Sequence, residues 1–290
     1  MQGFLRRALH LRVPDWFLVV ALAVYLRVLS RNLEGFHQAF SLANERLHYP
    51  TAAHERVPTS ALFTFSALAP AVGIICASCV MKRPFPRLGV GLLGLLLALL
   101  LNAAVTNTVK VWIGRPRPDF LSRCRPDMSM APPTDTGAFQ SQLVTDAVCM
   151  ADHTSVQFQD GFKSFPSGHS SMAFAGLTYL ALFMHAALTH CAARLWAYAE
   201  EPYVALRAGD EEREETPADS ASPRPSTAPP LLLASMALPL LPLMAAVYVA
   251  SSRVMDYRHH PTDVVAGTIL GALIAVSVFR VYHPRGTMDV

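Results

Sequence analysis

Three short segments combine cationic side chains and histidines in spacings that suit the binding of a phosphate group. The first is KVWIGRPRPDF, in which Lys110 and Arg117 are seven residues apart. The chain has 21 Arg and only three Lys, so a lysine here is an uncommon choice. The intervening glycine and prolines are expected to end the helix, which places Arg117 in an extended segment folded over the helix mouth. Cations that merely reach out to lipid headgroups would give the same pattern, so this segment alone leaves both interpretations open.

The second segment is KSFPSGHSSMAF, in which Ser167, Gly168 and His169 directly precede an apolar run. Unpaired N–H groups at a helix N-terminus favour an anion, and a histidine there can also exchange a proton. Capping of the helix by Ser167 or Ser170 accounts equally well for the serines, but it leaves the histidine unexplained. The segment therefore indicates a phosphate-binding turn that carries a candidate proton donor.

The third segment is SSRVMDYRHHPTDVVAG, which contains Arg253, His259 and Asp263. Arg253 is a planar donor suited to phosphate oxygens. His259 and Asp263 are four residues apart, about one helical turn, so the carboxylate is expected to hold one ring nitrogen while the other faces a substrate. A purely structural His/Asp pair is the alternative for this spacing. Arg258 and His260 are interpreted as supporting or surface residues.

Apolar helices must position these three segments. The chain is 52% hydrophobic and only 16% charged, against about 25% charged in soluble proteins. Runs without Asp, Glu, Lys or Arg cover residues 16–26, 57–81, 88–109, 164–193, 225–252 and 264–279. A helix that crosses the hydrocarbon needs about 20 apolar residues. The last run reaches that length if it extends to Tyr282, whereas residues 16–30 either span the membrane or lie in the interface.

The sequence thus predicts an all-α, polytopic membrane protein, a six-transmembrane-helix bundle forming one domain over residues 1–290. A single soluble domain, a disordered chain and a nucleic-acid-binding module are excluded. Residues 1–13 and the loop 82–87 each carry three basic residues, and both are expected to be cytoplasmic. No small-x-small cleavage site follows Arg27, so an uncleaved helix is preferred over a signal peptide. The segments on the opposite, non-cytoplasmic side are then 31–56, 111–170 and 252–262, which places all three polar segments at helix ends on that side.

Two further features lie outside the polar segments. Residues 195–229 are acidic and then rich in Pro, Ser and Ala, which predicts a disordered cytoplasmic loop. A solvated linker and a partner-binding or phosphorylated tail are both compatible with it. Cys124 and Cys149 share the long non-cytoplasmic segment, where a disulfide is predicted because such compartments permit oxidation.

The three segments together resemble the signature motifs of the type 2 phosphatidic acid phosphatase family. The pattern K-x6-RP begins at Lys110, PSGH begins at Pro166 and SR-x5-H-x3-D begins at Ser252, and each is matched at every position. The flanking sequence is similar to the branch of lipid phosphate phosphatases and diacylglycerol pyrophosphate phosphatases. The likeness extends over about residues 60–282.

This resemblance implies a role for each residue of the motifs. His259 would be the nucleophile that forms a phosphohistidine, Asp263 would orient it, and His169 would be the general acid. The implied phosphate-binding residues are Lys110, Arg117, Ser167, Gly168 and Arg253. The family works without Mg²⁺, so neither a metal nor another cofactor is implied.

The expected reaction is hydrolysis of a phospholipid phosphate, with phosphatidate, lysophosphatidate or diacylglycerol pyrophosphate as substrate. A sphingoid-base phosphate or polyprenyl pyrophosphate phosphatase is the alternative, as is a catalytically inactive lipid-binding relative. A transporter is disfavoured because the apolar runs contain no carboxylate, and a haloperoxidase because of the apolar spans. The expected location is an endomembrane, of the endoplasmic reticulum or vacuole, or the plasma membrane, with cytoplasmic termini and a luminal or extracellular site. No oligomeric state is predicted.

Overall fold

The chain is built almost entirely from helices in a computed structural model that describes residues 12–32, 35–79, 84–130, 143–211 and 232–284. The helices are α1 (Val13–Asn32), α2 (Thr59–Phe63), α3 (Ala69–Cys79), α4 (Pro84–Ile113), α5 (Phe120–Cys124), α6 (Val156–Gly161), α7 (Gly168–Glu211), α8 (Leu232–Ala237), α9 (Leu240–Met255) and α10 (Pro261–Tyr282). A π-helical turn, Thr64–Leu68, joins α2 to α3. The two strands, β1 (Phe40–Ser41) and β2 (Leu143–Val144), pair antiparallel.

Within the described residues, six stretches of helix are long and apolar enough to cross a membrane. They are Val13–Ser30, Thr59–Cys79, Leu88–Ile113, Gly168–Leu195, Leu233–Met255 and Pro261–Tyr282. The predicted all-α, multi-pass membrane fold is therefore confirmed. The first stretch belongs to α1, which lies at the periphery and leaves Trp16 and Phe17 exposed while Val19 and Leu22 pack inward.

The most extensive helix contact brings α10 against α7. A Cβ atom on Gly267 would lie 2.5 Å from the carbonyl oxygen of Ser167, and one on Gly271 would lie 2.1 Å from that of Ser171. Small residues allow helix backbones to approach closely in membrane proteins. The approach is close enough for the Ser167 N–H to donate a 2.9 Å hydrogen bond to the carbonyl oxygen of Asp263. The two helices therefore begin side by side.

An apolar core surrounds this contact and fixes the remaining helices. Its buried side chains come from α3, α4, α7 and α10 and include Ile74, Leu95, Leu99, Tyr179, Phe183 and Phe279. A second cluster joins Ala173 and Leu177 of α7 to Ala246 and Val249 of α9. As a result α7 is packed on several sides and forms the centre of the bundle.

A cap formed by residues 35–58, 114–130 and 143–167 covers one end of the bundle. Its interior is a cluster of aromatic residues, Phe40, Phe120, Phe158 and Phe162, together with a disulfide between Cys124 and Cys149. This is the cysteine pairing that the sequence predicts. Hydrogen bonds from Phe36 to Val111 and from Arg56 to Asp256 fasten the cap to the helix ends, and one from Tyr49 to Pro118 joins two parts of the cap. The segments expected to share one side thus meet there.

The structure differs from the sequence interpretation after residue 195. Helix α7 continues to Glu211, so residues 195–211, assigned to the disordered loop, are helical. Acidic composition was the basis of that assignment, yet this stretch is also rich in Ala, Leu and Glu, which are strong helix formers. Residues 212–231 lie outside the described residues, so the predicted loop stays a prediction there.

Candidate active site

Lys110 lies in the last turn of α4, shortly before the helix ends at Ile113. Gly114 has a φ of +60°, and a Cβ atom there would lie 1.7 Å from the carbonyl oxygen of Phe36, so this exit requires glycine. The Lys110 Nζ atom donates a 2.7 Å hydrogen bond to the carbonyl oxygen of Lys163. Its Cε atom would lie 3.5 Å from a Cβ on Gly168. The buried lysine therefore points toward the start of α7, not outward to lipid headgroups.

Arg117 follows in the extended segment that the sequence predicts beyond the helix end. Its Nε and Nη2 atoms donate to the backbone and the carboxylate of Asp160, both at 2.8 Å. Its Nη1 atom donates to the carbonyl oxygen of Arg258 at 3.1 Å and lies 3.5 Å from Nε2 of His259. Burial lowers the pKa of Arg117 to about 10, which still leaves the guanidinium charged at neutral pH.

Arg253 lies in the last turn of α9 and is 1% exposed. Its Nη2 atom donates to the Glu55 carboxylate at 3.0 Å, and its Nη1 atom donates to the carbonyl oxygen of Val57 at 3.1 Å. Its buried Nε atom has no hydrogen-bond partner within the described part of the chain. A buried N–H without a partner is a donor for a ligand.

The ring of His259 is held in one tautomer. Its Nδ1 atom lies 2.7 Å from the carbonyl oxygen of Ser164. Because a carbonyl can only accept a hydrogen bond, Nδ1 carries the proton and Nε2 keeps its lone pair. Burial lowers the pKa of this ring well below its ordinary value, and the charges of Arg117, Lys110 and Arg253 lower it further. At neutral pH the ring is therefore neutral, with its lone pair on the nitrogen nearer to Arg117.

Asp263 does not hold this ring directly, and the prediction of a direct contact is wrong. Its Oδ2 atom accepts hydrogen bonds from the Ser164 hydroxyl at 2.5 Å and from the His260 N–H at 3.1 Å. Its Oδ1 atom accepts from Arg115 at 2.6 Å. The four-residue rule applies within a helix, but α10 begins only after His260, so the carboxylate turns back onto the helix N-terminus. Asp263 thus contacts Ser164, which in turn contacts His259.

The PSGH turn lies where α7 begins. The Ser167 hydroxyl accepts hydrogen bonds from the Ser170 N–H at 3.4 Å and the Ser170 hydroxyl at 2.9 Å, which is the capping that the sequence left open. Gly168 is the first residue of the helix. The Nε2 atom of His169 is buried and, over the ranges described, has no hydrogen-bond partner. The charges of Arg253, Arg117 and Lys110 act on this ring as they do on that of His259. Both histidines therefore belong to one cationic site.

Acidic residues surround the cations. Arg258 bridges the carboxylates of Glu55, at 3.2 Å, and Asp160, at 3.3 Å. Asp119 and Arg123 form a buried ion pair of 2.7 Å beneath them. Burial alone would raise the pKa of Asp160, but the neighbouring arginines outweigh it and lower the pKa below its ordinary value. The cations are therefore held in place before any anion binds.

Sequence reasoning missed several of these residues. Ser164 and Arg115 lie inside the polar segments, so they were visible, but nothing in their spacing marks them. Glu55 and Asp160 lie outside the motifs, and only the fold brings them to the site. Arg258, interpreted as supporting or surface, is a supporting residue.

Comparison with known proteins gives a consistent result. The family model described as the PAP2 superfamily matches residues 91–287. Diacylglycerol pyrophosphate phosphatase 1 of Saccharomyces cerevisiae is 31% identical, over 94% of this chain and 80% of its own length. The Schizosaccharomyces pombe protein named "Probable diacylglycerol pyrophosphate phosphatase 1" is 29% identical, over 93% and 81%. Lipid phosphate phosphatase 1 of Arabidopsis thaliana is 32% identical, over 79% and 55%. No solved structure matches.

Proposed function

The chain belongs to the PAP2 superfamily, and from this premise we propose that it hydrolyses the phosphomonoester or pyrophosphate headgroup of a phospholipid. The proposed substrates are phosphatidate, lysophosphatidate and diacylglycerol pyrophosphate. The names of the relatives support this class of substrate. The position of the site supports it as well, since a headgroup at the mouth of the bundle leaves its acyl chains in the lipid.

The observation that carries the proposal is the lone pair of His259 Nε2, held beside Arg117 in a cationic site. This nitrogen attacks phosphorus and forms an N–P bond as the bond from phosphorus to the leaving oxygen breaks. Lys110, Arg117 and Arg253 bind the equatorial oxygens, where the transition state spreads its charge. The N-terminus of α7 at Ser167 and Gly168 adds backbone donors to this binding.

The negative charge of the bound headgroup offsets that of the three cations, which lets His169 take up a proton and pass it to the leaving alcohol or phosphate. Its buried Nε2 atom, without a partner in the described residues, is the group that would face the leaving oxygen. In the second step a water molecule attacks phosphorus and gives its proton to His169, and the N–P bond breaks. Inorganic phosphate leaves, and both histidines return to their starting state.

The reaction is proposed to need no Mg²⁺. Lys110, Arg117 and Arg253 converge on His259, and cationic side chains suit phosphate oxygens, not a metal ion. Their charges supply the electrostatic stabilisation that a bound metal supplies in other phosphoryl-transfer enzymes.

The site is proposed to face the lumen or the extracellular space, with both termini in the cytoplasm. The disulfide of the cap supports this, because it lies on the same end of the bundle as the site and disulfides persist in oxidising compartments. A membrane-impermeant protease applied to intact microsomes would leave a luminal cap uncut and would cleave a cytoplasmic one.

Phosphate release from phosphatidate in detergent micelles tests the activity. We expect release by the purified protein to persist in EDTA, to be inhibited by vanadate, and to be abolished in His259→Ala. A panel with diacylglycerol pyrophosphate, a sphingoid-base phosphate and a polyprenyl pyrophosphate ranks the lipid classes.

The matched control is His48→Ala, which removes an exposed histidine ring of the cap whose Nε2 atom bonds to the carbonyl oxygen of Leu42. This variant should keep wild-type activity. Undiminished release by His259→Ala would show that another group is the nucleophile, and no release from any lipid phosphate by the wild type would overturn the proposed function.

A further inference from the structure

Ser164 occupies the junction between the nucleophile and its carboxylate. It has no exposed surface, and each of its polar groups is hydrogen-bonded. Its N–H donates to the carbonyl oxygen of Arg115 at 3.1 Å, its carbonyl accepts from Nδ1 of His259 at 2.7 Å, and its hydroxyl lies 2.5 Å from Oδ2 of Asp263. An ionised carboxylate only accepts, so the hydroxyl must be the donor.

We infer that Ser164 is a positioning residue through which Asp263 acts on His259, an inference that rests on the proposed function. The hydroxyl ties Ser164 to the buried carboxylate at the start of α10. The backbone carbonyl of the same residue then fixes the direction and the tautomer of the imidazole. In the described residues no other hydrogen bond reaches Nδ1 of His259.

The Asp263 carboxylate that holds the Ser164 hydroxyl is itself fixed in place. The carboxylate of Asp263 is fully buried, is paired with Arg115 and accepts the N–H of His260, so it cannot turn away from Ser164 without breaking these bonds. Its backbone is held too, because its carbonyl accepts the Ser167 N–H. Movement of Ser164 is thus resisted by α10 and by the N-terminus of α7 together.

An indirect link has a chemical advantage over a direct one. A carboxylate in contact with the ring would favour the charged imidazolium, which has no lone pair to attack phosphorus. A neutral carbonyl orients Nδ1–H with a weaker pull toward protonation. The arrangement therefore fixes the tautomer and leaves the ring free to act as a nucleophile.

The test compares Ser164→Thr with Ser164→Val. The two replacements add the same volume at a buried position, so any packing defect is shared, and only threonine keeps the hydroxyl. We expect kcat for phosphate release to be about tenfold or more higher in the threonine variant, with KM values within about threefold, because the phosphate-binding cations are untouched. Equal kcat values in the two variants would overturn the inference.

A double-mutant cycle with Ser164→Ala and Asp263→Asn tests the order of action. If Asp263 acts through the hydroxyl, Asp263→Asn should cost at least about tenfold less kcat in the Ser164→Ala background than in the wild type. If the double variant instead lost kcat by the product of the two single-variant factors, Asp263 would act independently of Ser164. The control is Ser66→Ala, since Ser66 is equally buried and its hydroxyl donates to the carbonyl oxygen of Leu62 in the preceding helical turn. Because the wild type must release phosphate for any of these comparisons, a failed function and a failed inference give different results.

Discussion

The two histidines of the site differ in the contacts of their Nε2 atoms. His259 lies in the short connection between α9 and α10, and its Nδ1 atom is fixed by Ser164, which Asp263 anchors in turn. His169 lies in the first turn of α7 and has a backbone hydrogen-bond partner of its own, Val57. Its buried Nε2 atom has no partner in the part of the chain that the structure describes, whereas that of His259 lies 3.5 Å from Nη1 of Arg117. The same three cations act on both rings.

This difference matches the proposed division of chemical roles. A nucleophile must present one lone pair in one direction, so a bond that fixes the tautomer is useful to it. A general acid gives a proton and later takes one back, so its reactive nitrogen must stay available to the substrate. The similar electrostatic surroundings show that charge alone does not distinguish the two rings, whereas the contacts of their Nε2 atoms do.

The largest expected effect is a loss of activity that depends on the leaving group when His169 is replaced but not when His259 is replaced. We expect His169→Ala to slow phosphate release from phosphatidate by about 10²–10⁴-fold, because an alkoxide leaves poorly without a proton. With p-nitrophenyl phosphate, whose phenolate leaves unprotonated, the loss should shrink to about tenfold or less. Initial rates on both substrates measure this.

The companion variant His259→Ala should lose activity on both substrates, because neither can react without the nucleophile. If His169→Ala lost the same factor on both substrates, the ring would not be acting as the general acid. The contrast between the two histidines would then have no chemical meaning.

A smaller effect is expected from loosening the cap, which carries the residues that fix His259. Replacing Cys124 and Cys149 by serine removes a link between positions 25 residues apart, which should lower the free energy of unfolding by roughly 3 kcal/mol. Thermal unfolding in detergent measures this, with Cys76→Ser as the control because that cysteine is free and exposed.

The variant with serine at positions 124 and 149 also tests whether the cap positions His169. His169 lies on α7, the best-packed helix, so its contribution should survive in the loosened cap. The ratio of rates on phosphatidate and p-nitrophenyl phosphate should therefore stay within about twofold of the wild type. A ratio that falls toward that of His169→Ala would show that the cap positions His169 as well.

The contrast between the rings also marks how far the sequence could predict the site. Lys110, Arg117 and the six apolar runs could be predicted, because a helix end and a membrane span depend on residues close together in the chain. The exit at Gly114 could be predicted for the same reason. All of these are local properties.

The support for His259 could not be predicted, because it depends on where the helix starts. The four-residue spacing to Asp263 implies contact only if both residues are helical, and α10 begins between them. Ser164 is 95 residues from His259, and no spacing rule connects positions so far apart. The acidic partners Glu55 and Asp160 are also remote in sequence, 198 and 43 residues from the arginines that they hold.

The smallest expected effect concerns the charge on the fixed ring. Burial holds the pKa of His259 below its ordinary value of 6.5, so below that pH the unfolded chain binds a proton that the folded protein excludes. The neutral ring therefore contributes stability above pH 6.5 that is lost as the pH falls, at up to about 1.4 kcal/mol per pH unit.

The variant His259→Asn keeps a donor for Ser164 but cannot titrate, so its thermal midpoint should fall less than that of the wild type between about pH 7 and pH 5.5. Other buried histidines, such as His260 and His283, shift in the same direction but are present in both proteins, so the difference isolates His259. Identical pH slopes would mean that folding does not lower the pKa of His259, which would contradict burial of a neutral ring at this position.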